Sequence, residues 1–328
     1  MMRLPRFHYH APKTVADAAA MLADFGAEAK VVAGGTDLFP NMKRRQQTPL
    51  HVIGLRGVAG LRGLSGDLAK GATLGAMTTL TAIESDAALA KAFPALTHAA
   101  STVSTPPLRT MGTIGGNLCL DTRCNYYDQN YEWRKSIDFC MKKDGGTCWV
   151  APGSERCWAV SSSDTAPVLS ALGAQVTLVS KKNGERRIPV TDLFHDDGIR
   201  YLSKAPDELL TAVHLPANDG RTKASYWKLR RRGSFDFPVL GVAVAVTFST
   251  EKRVEKASIV IGGVGSRPRV ADAAGLVGKT LGEDAIREAS QKASLIARPL
   301  DNTDFEMGWR RQMAREYVAR ALRDVAKA

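Results

Sequence analysis

Five cysteines lie within 39 residues of this 328-residue chain and nowhere else in it. Four of them follow the spacing C-x15-C-x7-C-x8-C: Cys124, Cys140, Cys148 and Cys157. Four thiolates can hold a zinc ion or a [4Fe–4S] cluster. The segment has neither the Cys-x-x-Cys pairs usual for structural zinc nor the closely spaced ferredoxin pattern. The spacing therefore indicates a metal or cluster site without choosing between them, and four buried free thiols are the alternative.

Two glycine-rich segments have the residue types that bind phosphate. The first, Gly34-Gly35-Thr36-Asp37, follows an apolar segment, and the second contains Gly115-Gly116-Asn117. Glycines let backbone N–H groups approach a phosphate closely, and a hydroxyl adds a further donor. Neither segment has the Rossmann or P-loop spacing. Each alone is equally typical of an ordinary tight turn, but two such loops could hold the two halves of a pyrophosphate.

The surrounding pattern predicts the elements that position these loops. Apolar periodicity, caps and turn residues predict helices at 14–25, 80–85, 87–93, 96–103, 163–172, 270–276, 283–296 and 305–326. Short apolar runs predict strands at 29–33, 51–55, 68–71, 72–75, 174–180, 225–229, 239–249 and 257–264. Residues 119–160 have no sustained period and are expected to form an irregular insertion. Turn-forming residues at 216–221 predict a domain boundary.

Composition and charge exclude several classes of protein. Hydrophobic residues make up 44% of the chain and charged residues 24%, which is typical of a globular protein. No apolar run approaches the roughly 20 residues that span a bilayer, and residues 1–13 have no apolar core, so we expect a cytoplasmic protein without a secretory signal or membrane contact. The formal net charge is +12, but the basic residues are dispersed and carry no nucleic-acid-binding signature. The six histidines are scattered, and no catalytic residue is predicted.

Taken together and in order, three segments resemble the FAD-binding subunits of the xanthine oxidase/carbon monoxide dehydrogenase family: residues 31–37, 110–118 and 163–169. The stretch from Ser225, which includes Lys228-Leu229-Arg230-Arg231, resembles the family's C-terminal flavoprotein domain. The resemblance implies an α+β fold: a two-lobed FAD-binding domain of the vanillyl-alcohol-oxidase type, then a C-terminal domain of a small antiparallel sheet and helices. We expect the first domain at 1–219, with lobes at 1–55 and 56–219 and an iron–sulfur insertion at 119–160, and the second at 220–328.

The resemblance also implies which residues contact FAD. They are Val32, Ala33, Gly34, Gly35, Thr36, Asp37, Val103, Ser104, Thr113, Gly116, Asn117, Asp164 and Lys228. Val32 to Asp37 would bind the pyrophosphate, and Thr113, Gly116 and Asn117 would close over it. Asp164 would bond to the ribityl or adjacent hydroxyls, and Lys228 would lie near the isoalloxazine ring. Taken from the residues alone, Asp164 is equally a helix N-cap and Lys228 a solvated strand residue.

The insertion resembles one branch of this family. Asn117 and Asp164 are 47 positions apart, whereas a handful of residues separates them in ordinary members. The β subunit of 4-hydroxybenzoyl-CoA reductases has a similar four-cysteine insertion that binds a [4Fe–4S] cluster. By this resemblance Cys124, Cys140, Cys148 and Cys157 would be the cluster ligands, Cys119 would not, and Trp133, Trp149 and Trp158 would shield the cluster from water.

The resemblance implies an electron-transfer subunit of a molybdenum-dependent 4-hydroxybenzoyl-CoA reductase, which removes a ring hydroxyl to give benzoyl-CoA. Its partners would be a large molybdopterin subunit and a small [2Fe–2S] subunit, and reduced ferredoxin would donate the electrons. One alternative is the flavin subunit of an ordinary molybdenum hydroxylase, which passes electrons to NAD or oxygen and carries a structural metal in the insertion. Another is a flavin-free regulatory or nucleic-acid-binding protein that uses the basic surface.

Overall fold

The computed structural model describes residues 3–328. Residues 1 and 2 lie outside the described residues; they begin both the segment inspected for a secretory signal and the first predicted lobe. Within 3–328 no helix is long and apolar enough to cross a membrane. The chain forms three separate sheets with helices between and around them, which confirms the α+β class.

The first sheet is small and parallel, with strand order β1-β3-β2. Its strands and helices are β1 (His8–His10), α1 (Val15–Phe25), β2 (Ala29–Val32), α2 (Leu38–Lys43) and β3 (His51–Gly54). The Thr14 hydroxyl accepts a hydrogen bond from the Asp17 N–H and so caps α1. Helix α1 ends at Gly26, which has a φ of +52°. The first glycine segment begins two residues after β2 ends, so this sheet fixes its position.

The second sheet has five antiparallel strands in the order β4-β5-β8-β6-β7. The strands are β4 (Leu64–Asp67), β5 (Gly71–Gly75), β6 (Gln175–Ser180), β7 (Gly184–Pro189) and β8 (Leu209–Leu215). Seven helices lie between β5 and β6 in the chain: α3 (Leu80–Ser85), α4 (Ala87–Ala92), α5 (Pro94–Thr102), α6 (Pro106–Arg109), α7 (Ile114–Leu118), α8 (Tyr131–Ser136) and α9 (Thr165–Leu172). The strand expected at residues 68–71 is wrong, because Leu68 and its neighbours form the turn between β4 and β5, where the Lys70 N–H donates to the Asp67 carbonyl.

The third sheet is antiparallel, with the order β12-β11-β10-β9. It consists of β9 (Thr222–Leu229), β10 (Leu240–Phe248), β11 (Val254–Gly262) and β12 (Arg269–Ala271), followed by α10 (Glu283–Ser294) and α11 (Met307–Lys327). Alternate residues of β10 pack against α11 on one face and against α9 on the other. Burial on both faces explains why β10 is a continuous apolar run.

The helix expected at residues 270–276 is wrong. Val270 lies in β12, and only Ala274–Leu276 form a short 3₁₀ turn. Val270 pairs with Val260 of β11, so sheet pairing overrides a local pattern that fitted a helix equally well. The remaining predicted helices and strands are present, with ends shifted by a few residues.

Candidate functional site

The two glycine segments meet across one cleft, which we call the glycine-loop cleft. Ten of the thirteen residues expected to bind FAD line it: Gly34, Gly35, Thr36, Asp37, Val103, Ser104, Thr113, Gly116, Asn117 and Asp164. Three do not. Val32 ends β2 and is buried beside Met42, and Ala33 packs under the second segment. Lys228 lies behind the cleft wall, bonded to Asp164.

The first glycine segment keeps unused backbone donors. Within residues 3–328 no hydrogen bond engages the backbone N–H of Gly35, Thr36 or Asp37. Asp37 occupies the N-cap position of α2 without capping it by its side chain. Gly35 has a φ of +74°, the left-handed conformation that glycine adopts without strain. A run of free N–H groups next to a left-handed residue is the arrangement that cradles an anionic oxygen.

The second segment, in contrast, is internally satisfied. The Gly116 N–H donates to the Thr113 hydroxyl, which caps α7, and the Asn117 N–H donates to the Thr113 carbonyl. The Asn117 side-chain oxygen accepts from the Ser163 hydroxyl at 2.8 Å and from the Thr165 hydroxyl at 2.7 Å, and also from the Thr165 N–H. Since its oxygen is fully engaged, Asn117 offers the cleft only its amide NH₂.

We expect Asn117→Ala to destabilise the fold as well as the cleft. It would leave buried donors of Ser163 and Thr165 without an acceptor, at a cost of about 1–3 kcal/mol in the free energy of unfolding. Urea unfolding checks this, with Asn183→Ala as control, because Asn183 is exposed in the turn between β6 and β7. A variant as stable as the control would show that the Asn117 hydrogen bonds do not support the start of α9.

Asp164 lies at the N-cap position of α9, but its carboxylate does not cap the helix. It accepts hydrogen bonds from the Tyr226 hydroxyl at 2.7 Å and from Lys228 Nζ at 2.9 Å. Lys228 also donates to the Thr102 carbonyl, and its side chain is only 3% exposed. Lys228 is therefore not a solvated strand residue. Burial lowers the pKa of Lys228, and the Asp164 carboxylate opposes that shift.

The loop between β9 and β10 contributes residues that sequence reasoning missed. Phe235, Asp236 and Phe237 line the glycine-loop cleft, and both phenylalanine rings are exposed. The Phe235 N–H donates to the Ser104 carbonyl at 3.0 Å, and both residues have positive φ. The sequence did offer one indication of their role, a pair of phenylalanines in an otherwise polar, arginine-rich loop. Exposed aromatic side chains at a cleft often contact a ligand.

Asp37 faces the cysteine-rich insertion, residues 119–160. Its carboxylate forms an ion pair with Arg123 and accepts from the Asp121 N–H. Burial raises the pKa of Asp37, the charge of Arg123 opposes the shift, and nearby Asp121 adds to it. The first glycine segment and the insertion are therefore in direct contact.

The insertion is closed at its base by a two-residue bridge, which we call the neck. The Arg123 N–H donates to the Val160 carbonyl at 2.9 Å, and the Val160 N–H donates back to Arg123 at 2.7 Å. Cys124 follows directly after the neck, and Cys157 comes shortly before it. Lys142 anchors the interior through Asp121 at 2.9 Å and the Gly198 carbonyl at 2.6 Å.

All four cysteines expected to be ligands are buried and free of disulfides. Cys124, Cys140 and Cys157 share one apolar cluster, and the charges of the other three cysteines contribute to the raised pKa of Cys124. Burial raises the pKa of Cys124 to about 12 and that of Cys157 to about 11. Within residues 3–328 no three His, Cys, Asp or Glu side chains are arranged to hold one metal ion.

Two of the three tryptophans expected to shield the cysteines are exposed, and the third, Trp158, is half-buried. Tyr126, Tyr127, Met141, Val150 and Ala159 pack against them, whereas Trp133 and Trp149 are each 38% exposed. Both tryptophans lie at the surface of the insertion. Cys119 lies apart, at the end of α7, and packs against the core of the five-stranded sheet and its helices.

Comparisons with known proteins agree with this architecture. The model of the FAD binding domain in molybdopterin dehydrogenase matches residues 5–218, and that of the CO dehydrogenase flavoprotein C-terminal domain matches residues 224–325. The carbon monoxide dehydrogenase medium chain of Afipia carboxidovorans is 30% identical over 318 residues, which are 96% of this chain and 95% of that one. The aldehyde oxidoreductase FAD-binding subunit PaoB of Escherichia coli is 32% identical over 270 residues, 80% of this chain and 82% of that one.

A solved carbon monoxide dehydrogenase from Hydrogenophaga pseudoflava contains a chain with the same fold. It is 27% identical with a TM-score of 0.80, and the match covers 99% of this chain and 98% of that one. The predicted fold class is thereby confirmed. The relatives support the wider family and not the particular branch suggested by the insertion. This chain belongs to the FAD-binding subunits of the xanthine oxidase/carbon monoxide dehydrogenase family and is a subunit of a molybdenum hydroxylase-type oxidoreductase.

Proposed function

We propose that this chain is the FAD- and [4Fe–4S]-binding electron-transfer subunit of a molybdenum-dependent reductase of the 4-hydroxybenzoyl-CoA type. That enzyme removes the ring hydroxyl reductively and uses electrons from reduced ferredoxin. The observation that carries the proposal is a closed insertion of four buried cysteines whose neck contacts the glycine-loop cleft.

The cleft fits FAD in the chemistry of its donors. The free N–H groups of Gly35, Thr36 and Asp37 would hold the pyrophosphate. The exposed rings of Phe235 and Phe237 offer apolar contact to a planar ring system. Asp164, held by Tyr226 and Lys228, would accept from flavin hydroxyls. When bound, FAD would supply a flavin ring that exchanges one or two electrons at a time.

The insertion fits a cluster in the type of its ligands. Cys124, Cys140, Cys148 and Cys157 are buried together, and the Ala159 N–H donates to the Cys157 sulfur at 3.4 Å. Backbone donors to sulfur are among the features that tune iron–sulfur clusters. Such a cluster would supply one-electron transfer.

The position of the neck supports electron transfer between the cysteines of the insertion and the flavin in the glycine-loop cleft. Cys124 lines a cavity that adjoins the glycine-loop cleft and shares Phe235 and Phe237 with it. Among the four cysteines, Cys124 is the one that lines this cavity. We therefore propose that electrons pass between the insertion and the flavin on the Cys124 side, and that this chain binds no acyl-CoA.

The partners follow from the same proposal. Relatives are named medium chains or FAD-binding subunits, so each is one component of a larger enzyme. We propose a large molybdopterin subunit, which holds the substrate, and a small [2Fe–2S] subunit, which receives electrons from the flavin. Reduced ferredoxin would dock at the insertion, where Tyr131, Trp133 and Trp149 are exposed.

Electron delivery from ferredoxin should slow as ionic strength rises. A chain of net charge +12 attracts an acidic carrier at long range. Steering of this kind raises association rates about 10- to 1,000-fold and is largely screened above roughly 0.5 M salt. Stopped-flow reduction of the bound flavin measures the effect, with an uncharged artificial reductant as control. Equal salt dependence for both reductants would contradict steering by ferredoxin.

A second candidate function follows from the relatives. An ordinary molybdenum hydroxylase would pass electrons outward from the flavin, and the cysteines would hold a structural metal. Metal and sulfide analysis of the chain purified without oxygen, together with its absorption and EPR spectra, separates the two. Four irons with acid-labile sulfide per flavin support the reductase, one zinc per chain supports the hydroxylase, and a colourless chain would contradict both.

A further inference from the structure

The backbone of Arg123 belongs to the cysteine-rich insertion, and its side chain contacts Asp37, which lines the glycine-loop cleft. Its backbone forms the neck with Val160. Its guanidinium extends out of the insertion and forms an ion pair with Asp37, the last residue of the first glycine segment. The residue next along the chain is Cys124.

The guanidinium is held on several sides. Nη2 pairs with Asp37, Nη1 lies 3.4 Å from an Asp128 carboxylate oxygen, and the guanidinium carbon lies 4.0 Å above the ring of Phe237. Phe237 lines the glycine-loop cleft and the adjoining cavity, and Arg123 lines that cavity. The side chain of Arg123 therefore joins the first glycine segment to Phe237 of the loop between β9 and β10.

The carboxylates near the first glycine segment need a cation such as the Arg123 guanidinium to offset their negative charge. The free N–H groups of Gly35 and Thr36 can bind a phosphate, but the carboxylate of Asp37 lies in the same segment, with Asp121 and Asp128 close by. Like charges disfavour each other, most of all where burial limits solvation. A guanidinium is permanently protonated, so Arg123 offsets this charge at any working pH.

We propose that Arg123 is a residue of the insertion that supports FAD binding through Asp37. It neutralises the Asp37 carboxylate, which lies beside the free N–H groups that would hold the pyrophosphate. The affinity of the glycine segment for FAD then depends on a closed neck, and by thermodynamic linkage bound FAD stabilises the neck. The inference rests on the proposed flavin site, but it adds a dependence between flavin and insertion that the flavin site alone does not require.

Arg123→Gln in the full chain tests the proposal. The flavin is removed, and FAD is titrated back while its fluorescence is followed. We expect the dissociation constant to rise about 10- to 100-fold, the range of a typical coupling between sites. Arg123→Lys keeps the charge and should stay within a few-fold of the unaltered chain. The matched control is Arg156→Gln, because Arg156 also lies in the insertion but pairs with Asp196, away from the first glycine segment.

A second substitution tests whether Arg123 acts by its charge or only by holding the neck closed. If Arg123 acts by offsetting Asp37, Asp37→Asn in the Arg123→Gln background should recover most of the lost affinity. A clamp that only holds the neck closed would not be rescued in this way. Failure of the rescue, or an Arg123→Gln affinity equal to that of the Arg156→Gln control, would overturn the proposal. An unaltered chain that binds no FAD would overturn the proposed flavin site itself, which is a different outcome.

Discussion

Gly34→Ala should yield a chain purified with less than about a tenth of its flavin. A Cβ at Gly34 would lie 1.9 Å from the Met111 carbonyl oxygen and 2.5 Å from its carbon. Both obstructing atoms are backbone, so no side chain can turn away to make room. Overpacking of this kind costs about 1–3 kcal/mol or more, and here it separates the two segments that form the cleft.

The measurement is the ratio of flavin to protein absorbance after purification, together with a thermal unfolding curve. Gly275→Ala is the control, since a Cβ there meets nothing within 4 Å. If Gly34→Ala kept stoichiometric FAD, the contact between the two segments would not be needed for the site.

Gly35 has a structural requirement in addition to its expected place at the pyrophosphate. In the structure, Gly35 has a φ of +74°, and a Cβ would lie 2.5 Å from the ring of Phe39. Gly35 is needed for backbone conformation, whereas Gly34 is needed for contact between loops. Sequence identifies such glycines but not which contact each of them permits.

Much of the cleft was predictable because its parts are local. A turn that follows a strand, such as the turn at Gly34 after β2, is specified by consecutive residues of the sequence. The same holds for Thr113, which caps α7 through the N–H three residues on. The local pattern and the resemblance together therefore placed ten residues on one cleft.

The pairings across the cleft were not predictable, because they join distant residues. Asp164 looked like a helix cap, and only the register of β9 puts Tyr226 and Lys228 against its carboxylate. Arg123 looked like one more charge in an irregular loop, and only closure of the neck aims it at Asp37. Phe235 and Phe237 needed the docking of the third sheet on the five-stranded sheet and its helices. Such contacts depend on tertiary packing that no local pattern encodes.

Cys140→Ser should remove the iron–sulfur cluster that we propose and leave the flavin in place. Serine oxygen is a harder ligand than thiolate sulfur and holds iron–sulfur clusters poorly. Cys140 lies inside the insertion and is 6% exposed, and it takes no part in the hydrogen bonds between Arg123 and Val160 that form the neck. The contacts of Arg123 with Asp37 therefore persist, and we expect FAD content within a few-fold of the unaltered chain. Iron falls from four per chain to a small fraction of that value.

Cys119→Ser is the matched control, because it is the same chemical change outside the insertion's apolar cluster. It should leave iron unchanged, as Cys119 packs against the core beside α7 rather than in the apolar cluster of Cys124, Cys140 and Cys157. Function gives a second readout: reduction by ferredoxin should fall sharply in Cys140→Ser, while a dye that reduces the flavin directly should still support turnover. Iron lost from Cys119→Ser, or a full cluster kept in Cys140→Ser, would refute the ligand assignment.

Cluster assembly should also depend on pH. Burial raises the pKa of Cys124 to about 12 and that of Cys157 to about 11, so both thiols must lose a proton when they bind iron. We therefore expect iron uptake by the metal-free chain to weaken as pH falls.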